Sequence, residues 1–272
     1  MIRLVVLICV MALPVIAQER RASHCIAIAD SAPGITFVHR AAWSDPVPEF
    51  SVRLHYISHA SFLLQTEDGL SAITDFTGFI GNVDFLPDVV TMNNAHSSHW
   101  SAAPDPAIPY ALKGWAEDGV PADHNLDLGG MLVRNVPTDV RGFEGVARED
   151  GNSIFIFEAA GLCIGHLGHL HHVPTDEQFA AIGRLDVVLA PVDGGYTMPL
   201  DEMILVLNRL KSRIVIPMHW FVDGSLGRFL AGMEDEFQIV MTDQSEITVS
   251  LRSLPDDPTI MVLRPAWLRD TE

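Results

Sequence analysis

The chain has 272 residues and a formal net charge of −18, with 17 basic against 35 acidic side chains. So acidic a surface gains nothing from the counterion release that drives nucleic-acid binding, nor from anionic lipid. The length fits one sizeable domain, and no internal repeat or low-complexity tract divides it.

Residues 1–17 read as an export signal. Arg3 supplies the positive start, residues 4–12 the apolar stretch, and Val15-Ile16-Ala17 a small-residue cleavage site ahead of Gln18. The expected location is therefore periplasmic or secreted. The apolar run is too short to favour a spanning helix. Its removal takes Arg3 away, so a charge of −18 becomes −19. Two cysteines then remain, Cys25 and Cys163. An oxidising compartment would allow them to pair, although the position of Cys163 inside a strand favours a buried free thiol. Residues 18–48, with Pro33-Gly34 and Asp45-Pro46-Val47-Pro48, are expected to form an arm laid on a domain of residues 49–272.

At the start of that domain Val52, Leu54 and Tyr56 alternate with Arg53 and His55. This is the period of a half-buried strand, with His55 on its polar face. Residues 61–65 and 70–74 continue as strands around an Asp68-Gly69 turn. A β-rich run over 87–92 leads into Asn94-Ala95-His96-Ser97-Ser98-His99. Further strands are expected at 131–136, 153–158, 161–165 and 186–191. A helix start stands at Pro174-Thr175-Asp176-Glu177-Gln178, and a second helix is expected over Leu200–Leu210, ending in basic Arg209 and Lys211. Strands first, then strands alternating with helices, give an α+β class with two sheets and helices on the outer faces.

Histidines gather where strands end. The stretch 161–172, GLCIGHLGHLHH, holds His166, His169, His171 and His172; His96 and His99 follow another strand, and His219 closes Ile214-Val215-Ile216-Pro217-Met218. Three strand ends of this kind are what a metal site requires, because neutral imidazole is a common ligand for zinc and iron and a site draws on several elements.

These segments resemble the metallo-β-lactamase-fold hydrolases, in the branch of lactonase-like and N-acyl-phosphatidylethanolamine phospholipase D-like enzymes. HLGHLHH at 166–172 is similar to that family's HLGDLGH, and NAHSSH at 94–99 stands where it has HxHxDH. PMHW at 217–220 is similar to its PMHY-type final ligand, and HASF at 59–62 to its early GHASF. The resemblance implies a single-domain αββα sandwich. It also implies a first metal position with His96, with Asn94 in place of a histidine and Asp139 where a third ligand is expected. The second position would keep His99 and His219, with Ser98 for a carboxylate and His169 in the bridging place.

The expectation that follows is one ion, zinc with manganese or iron as alternatives, on His99, His169 and His219 with His96 as a fourth ligand. Neutral ligands leave the ion its full charge to acidify a water, which Asp139 or Asp75 would orient or deprotonate. His166 and His172 match the outer histidines of the motif and are expected to support the ligands, whereas His171 replaces a glycine and has no counterpart there. His59 falls at a family position near the site, with a structural role as the alternative. His24, His39 and His124 are expected at the surface. Two functions stay open: an exported metal-dependent hydrolase of a small ester, lactone or phosphodiester, and a degenerate member that binds metal or ligand without turnover.

Overall fold

The computed structural model describes residues 20–26, 43–142, 147–221 and 223–270. The export signal, its junction at Gln18 and His39 lie outside these. In chain order the elements are β1 (Ser51–Ser58), β2 (Ser61–Thr66), β3 (Ser71–Ile73), β4 (Gly81–Asn82), β5 (Val89–Met92), β6 (Tyr110–Lys113), β7 (Asn125–Asp127), β8 (Met131–Arg141), β9 (Ala147–Ala159) and β10 (Leu162–His166). There follow α1 (Asp176–Ile182), β11 (Val187–Pro191), α2 (Leu200–Leu210), β12 (Ile214–Met218), α3 (Asp223–Met233), β13 (Gln238–Met241), β14 (Glu246–Ser250), β15 (Thr259–Val262) and β16 (Leu268–Arg269).

Two large sheets face one another. One runs β14-β1-β2-β3-β5-β6 and the other β13-β15-β12-β11-β10-β9-β8-β7. Their inner faces meet in a core that includes Leu54, Tyr56, Phe62, Val133, Phe155, Phe157, Leu189 and Ile216. Each such side chain contributes roughly 1.5–3 kcal/mol when fully buried. The three helices cover the outer face of the second sheet through Ile182, Met203, Val206, Leu207 and Phe229. α1 starts on Thr175, whose side chain accepts from Gln178 N–H while the Gln178 side chain returns to the Thr175 backbone, a reciprocal cap that satisfies two otherwise orphan donors. Among the described residues the outer face of the first sheet is covered instead by loops and the β4–β16 ribbon, with Trp43, Phe85, Trp100 and Trp115 packed against Ile57, Leu63 and Val90.

That second covering corrects the reading of β1. Arg53 and His55 are both buried. Arg53 donates to the carbonyls of Trp43 (3.2 Å), Asp45 (2.7 Å) and Pro46 (3.2 Å), and His55 Nε2 lies 2.8 Å from Ala266 O. Alternation places a residue on a polar face only when that face meets water, and here chain from both ends lies over it.

The cysteines are the other correction. Cys25 and Cys163 form a disulfide, with Cα atoms 5.9 Å apart. Leu162 and Ile164 point into the inter-sheet core while Cys163, between them, points to the outer face. There the 20–26 segment is held by Arg21 Nη1 to Asp127 Oδ1 (3.0 Å), by His24 N–H to Glu158 Oε2 (3.0 Å) and by Arg184 N–H to Cys25 O (2.8 Å).

The parallel strands all deliver their carboxyl ends to one edge. β11 and β12 pair in register from Val187↔Ile214 to Pro191↔Met218, so Asp193 and His219 leave the sheet side by side. β3 and β5 are likewise parallel, with Ile73 opposite Val90, and release Asp75 and the 93–99 loop at the same end. Clefts outside the carboxyl ends of parallel strands are where sites form in open α/β sheets.

Candidate metal centre

Four imidazoles meet at this edge. His99 and His219 are the central pair, buried, with ring centroids 5.1 Å apart and Nε2 atoms 3.2 Å apart. His59 flanks His219 at 4.0 Å and His99 at 5.3 Å between centroids. His169 stands on the other side, 4.5 Å from His99 and 5.4 Å from His219. Ligand atoms of His59, His99 and His219 all lie within 4.8 Å of one another.

A carboxylate backs each central ring. His99 Nδ1 lies 2.5 Å from Asp75 Oδ2, and His219 Nδ1 lies 2.8 Å from Asp193 Oδ2. The second approach is too oblique for a hydrogen bond, and the nearness of the carboxylate oxygen favours a proton on that ring nitrogen. With the proton of each ring on the Nδ1 that faces its carboxylate, two Nε2 lone pairs face each other across 3.2 Å. A cation held between them would relieve that repulsion. Zinc–imidazole bonds of ~2.0–2.1 Å at a tetrahedral angle put two ligand nitrogens about 3.3 Å apart, so the spacing fits. His59 Nε2 and His169 Nδ1 are buried without a hydrogen-bond partner, as befits atoms awaiting an ion or a bound ligand.

The charges suit this role. Burial holds His99 well below its usual range, with His219 and His96 adding to the effect. Burial first, then His219 and His99, pushes His59 down to about 3. Burial likewise takes His169 to about 2, so these rings present lone pairs at neutral pH. Burial alone would raise the Asp193 carboxyl, but hydrogen bonds from His219 and Thr197 hold it below the ordinary value. Burial raises Asp75 to about 6 against His166 and the Asn93 amide, which leaves it mostly ionised at pH 7.

The scaffold is fixed from behind. Asp75 Oδ1 accepts Asn93 N–H at 2.9 Å. His166 Nε2 lies 2.7 Å from Ala60 O and its Nδ1 accepts Gly168 N–H at 3.2 Å, so both nitrogens are engaged and the ring supports the loop as expected. Gly168, at φ +61°, has no room for a Cβ, which would stand 2.3 Å from Asn93 Nδ2. The His59 carbonyl accepts from His219 N–H (2.9 Å) and Tyr56 O–H (2.7 Å). His59, Asp75 and His219 all take positive φ, +48°, +42° and +58°. Such conformations cost of order 1–3 kcal/mol each and gather at sites where the surroundings force them.

The other expected residues are placed differently. His96 is exposed; its Nδ1 lies 2.9 Å from Ser98 Oγ and its ring 5.7 Å from His169. Asn94 Oδ1 accepts from Arg148 at 2.9 Å. The Asp139 carboxylate accepts Asp150 N–H at 2.9 Å, and its own N–H donates to His172 Nε2 at 3.1 Å, which makes it a brace of the β8–β9 hairpin instead of a group turned on His99 and His219. His171 Nδ1 accepts Arg141 N–H at 2.7 Å. Of the histidines expected at the surface, half-buried His24 pairs with Glu158 at 3.0 Å, and His124 Nε2 lies 2.6 Å from Lys113 O.

The sequence marks residues 193–196 only as a pocket-lining loop and gives Asp193 itself no role. Its Oδ1 accepts from Gly195, Tyr196 and Thr197 N–H groups at 2.5–3.0 Å. An acid opening Asp193-Gly194-Gly195 directly after a strand was the available signal. Above the centre, Phe221 lies 5.2 Å from His219 and 5.3 Å from His59, and Tyr196 lies 5.6 Å from Phe221. Both aromatics are exposed, 57% and 72%.

Residues 53–219 match the model of the Beta-lactamase superfamily domain. The chain belongs to this superfamily. Among relatives, a UPF0173 metal-dependent hydrolase of Methanoculleus marisnigri is 26% identical over 223 residues, covering 74% of this chain and 94% of that one. Another UPF0173 metal-dependent hydrolase, from Nanoarchaeum equitans, is 24% identical over 185 residues, with 62% and 84% covered. A crystal structure of a metallo-beta-lactamase superfamily protein from Thermotoga maritima superposes with a TM-score of 0.55 at 25% identity, covering 78% of this chain and 98% of that one. The chain thus shares its α+β fold with the superfamily, and it carries a histidine cluster able to hold a metal.

Proposed function

We propose that the chain is an exported hydrolase of a small ester, lactone or phosphodiester that works with a single metal ion, zinc in the first instance. The observation that carries this reading is the pair of carboxylate-backed imidazoles, His99 and His219, whose Nε2 atoms face each other at 3.2 Å. His99, His219 and His59 would hold the ion, the three-imidazole count of a catalytic zinc site with a position left for water or substrate. His169, expected as the third ligand, borders the same space beside His99. When bound, such an ion acidifies a water and polarises the substrate's oxygen at neutral pH.

Asp75 and Asp193 hold the two rings in the tautomer that ligates and raise their basicity. Asp75 thereby takes a supporting place, since its two oxygens are committed to His99 and to Asn93 N–H. Tyr196 and Phe221 supply an apolar wall beside the ring of His219, suited to the uncharged part of a substrate. The Cys25–Cys163 disulfide supports export, because such bonds persist in oxidising compartments. Among the described residues no helix is long and apolar enough to cross a membrane.

The test is a panel of ester, lactone and phosphodiester substrates given to zinc-loaded protein, with His219→Ala as control. Turnover that needs both zinc and His219 is the expected result. Protein that takes up zinc yet turns over none of the three classes would favour the degenerate, non-catalytic member, a reading to which the loss of ligands at Asn94 and Ser98 lends support.

A further inference from the structure

His171 is the one histidine of the 161–172 stretch with no counterpart in the resembling motif, and the metal centre described above does not use it. Its ring is half-buried, 4.7 Å from His169, which is itself 4.5 Å from His99. The Arg141 backbone N–H donates to its Nδ1 at 2.7 Å. A nitrogen that accepts an N–H bond holds no proton, so the ring is neutral and its proton sits on Nε2. That Nε2–H is buried and has no acceptor among the described residues.

Two conclusions follow from the fixed tautomer. His171 does not ligate a metal through Nε2, because ligation needs a lone pair there. And a buried donor without an acceptor is rare enough in a folded chain to call for an explanation. Arg141 makes the arrangement rigid: besides meeting His171, its guanidinium donates to Gly195 O at 2.8 Å and to Thr197 O. The same residue thus ties the His171 loop to the loop that carries Asp193.

We propose, resting on the hydrolase reading above, that His171 Nε2–H is a hydrogen-bond donor to an oxygen of the bound substrate, stabilising the negative charge that grows on it during hydrolysis. The proton stays on Nε2 throughout; the ring acts as a fixed dipole aimed where charge develops. A phosphodiester or tetrahedral ester oxygen is an acceptor of the required kind, and inorganic phosphate is its simplest stand-in.

The experiment compares wild type, His171→Phe and His171→Gln, each loaded with zinc. Zinc content is read by elemental analysis, phosphate affinity by calorimetry, and the His171 ring proton of wild type by nitrogen-15 NMR. All three proteins should hold zinc equally. The Phe variant should bind phosphate about 10-fold more weakly, the effect of one lost hydrogen bond to a charged group. Gln can accept from Arg141 and still donate, so it should recover most of that loss. Phosphate should also move the wild-type His171 signal, a readout that stands even if a variant fails to fold. Equal phosphate affinity in the Phe variant, or a His171 signal unmoved by phosphate, overturns the proposal while leaving the metal centre intact. Wild type that takes up no zinc overturns the hydrolase reading instead, and the donor is then judged by the same phosphate titration of the metal-free protein.

Discussion

The two halves of the histidine cluster are built on different principles. His99 and His219 are buried and each rests on a carboxylate, Asp75 or Asp193, within 2.8 Å. On the other side His96 is exposed and rests on a serine hydroxyl, and Asn94 is taken up by Arg148. A carboxylate behind an imidazole fixes its tautomer and raises its basicity, whereas a hydroxyl does neither with comparable strength. The difference teaches that ligand type alone does not make a metal position. On the proposed reading the first half is the site and the second its rim.

This contrast can be broken from either side. The largest effect is expected for His99→Ala or His219→Ala, which remove one of the facing nitrogens; zinc retained on gel filtration should fall to none. The reverse experiment rebuilds the rim: Asn94→His with Ser98→Asp restores the residues that the resemblance expects, and bound zinc should rise from one ion per chain to two by elemental analysis. Next in size are Asp75→Asn and Asp193→Asn, each expected to weaken zinc about 10- to 100-fold in a competition titration with a chelating dye. Asp193→Asn also tests the loop, since Thr197 Oγ1 donates to the same carboxylate at 2.6 Å. His96→Ala should be smallest, within about twofold of wild type, because an exposed ring backed by a hydroxyl contributes little to a dry site.

Beyond the cluster, the pair Glu158 and Arg134 ties the 20–26 segment to the sheet. Arg134 Nε donates to Glu158 Oε1 at 2.7 Å, and Ser23 donates to the same oxygen. Burial alone would raise the Glu158 carboxyl, but the bonds from Arg134 and Ser23 hold it below its ordinary value. A depressed carboxyl stabilises the fold above its unfolded pKa and loses that contribution as pH falls through the folded value. Wild type should therefore lose stability as pH drops below about 4.5, and Glu158→Gln should lack that component of the acid limb. At neutral pH the same change should cost about 3 kcal/mol in urea melts, because it leaves the buried Arg134 charge without its counter-ion.

Much of the fold was legible. α2 occupies Leu200–Leu210 as expected, because its apolar spacing and basic end are local signals. β9 runs further than its apolar core, over Ala147–Ala159, because its first residues pair across to β8 outside the sandwich. Hydrophobic pattern does not report such pairing. His55 and Arg53 were misread for one reason: each faces a surface covered by other parts of the chain, which periodicity takes for solvent; Cys163, expected buried, differs in being bonded to Cys25. In the candidate site, His99, His169 and His219 were singled out from strand ends, and the structure brings them together with His59 beside the central pair. Asp193 was not, since its partnership with His219 arises only from the register of β11 against β12.

The central claim is that His99 and His219 face each other across a single cation. Elemental analysis of protein purified without chelator tests it most directly, with Asp193→Asn beside it. The account expects one tightly held ion per wild-type chain and a substoichiometric amount in the variant. Two tightly held ions, or a full complement in Asp193→Asn, would contradict it.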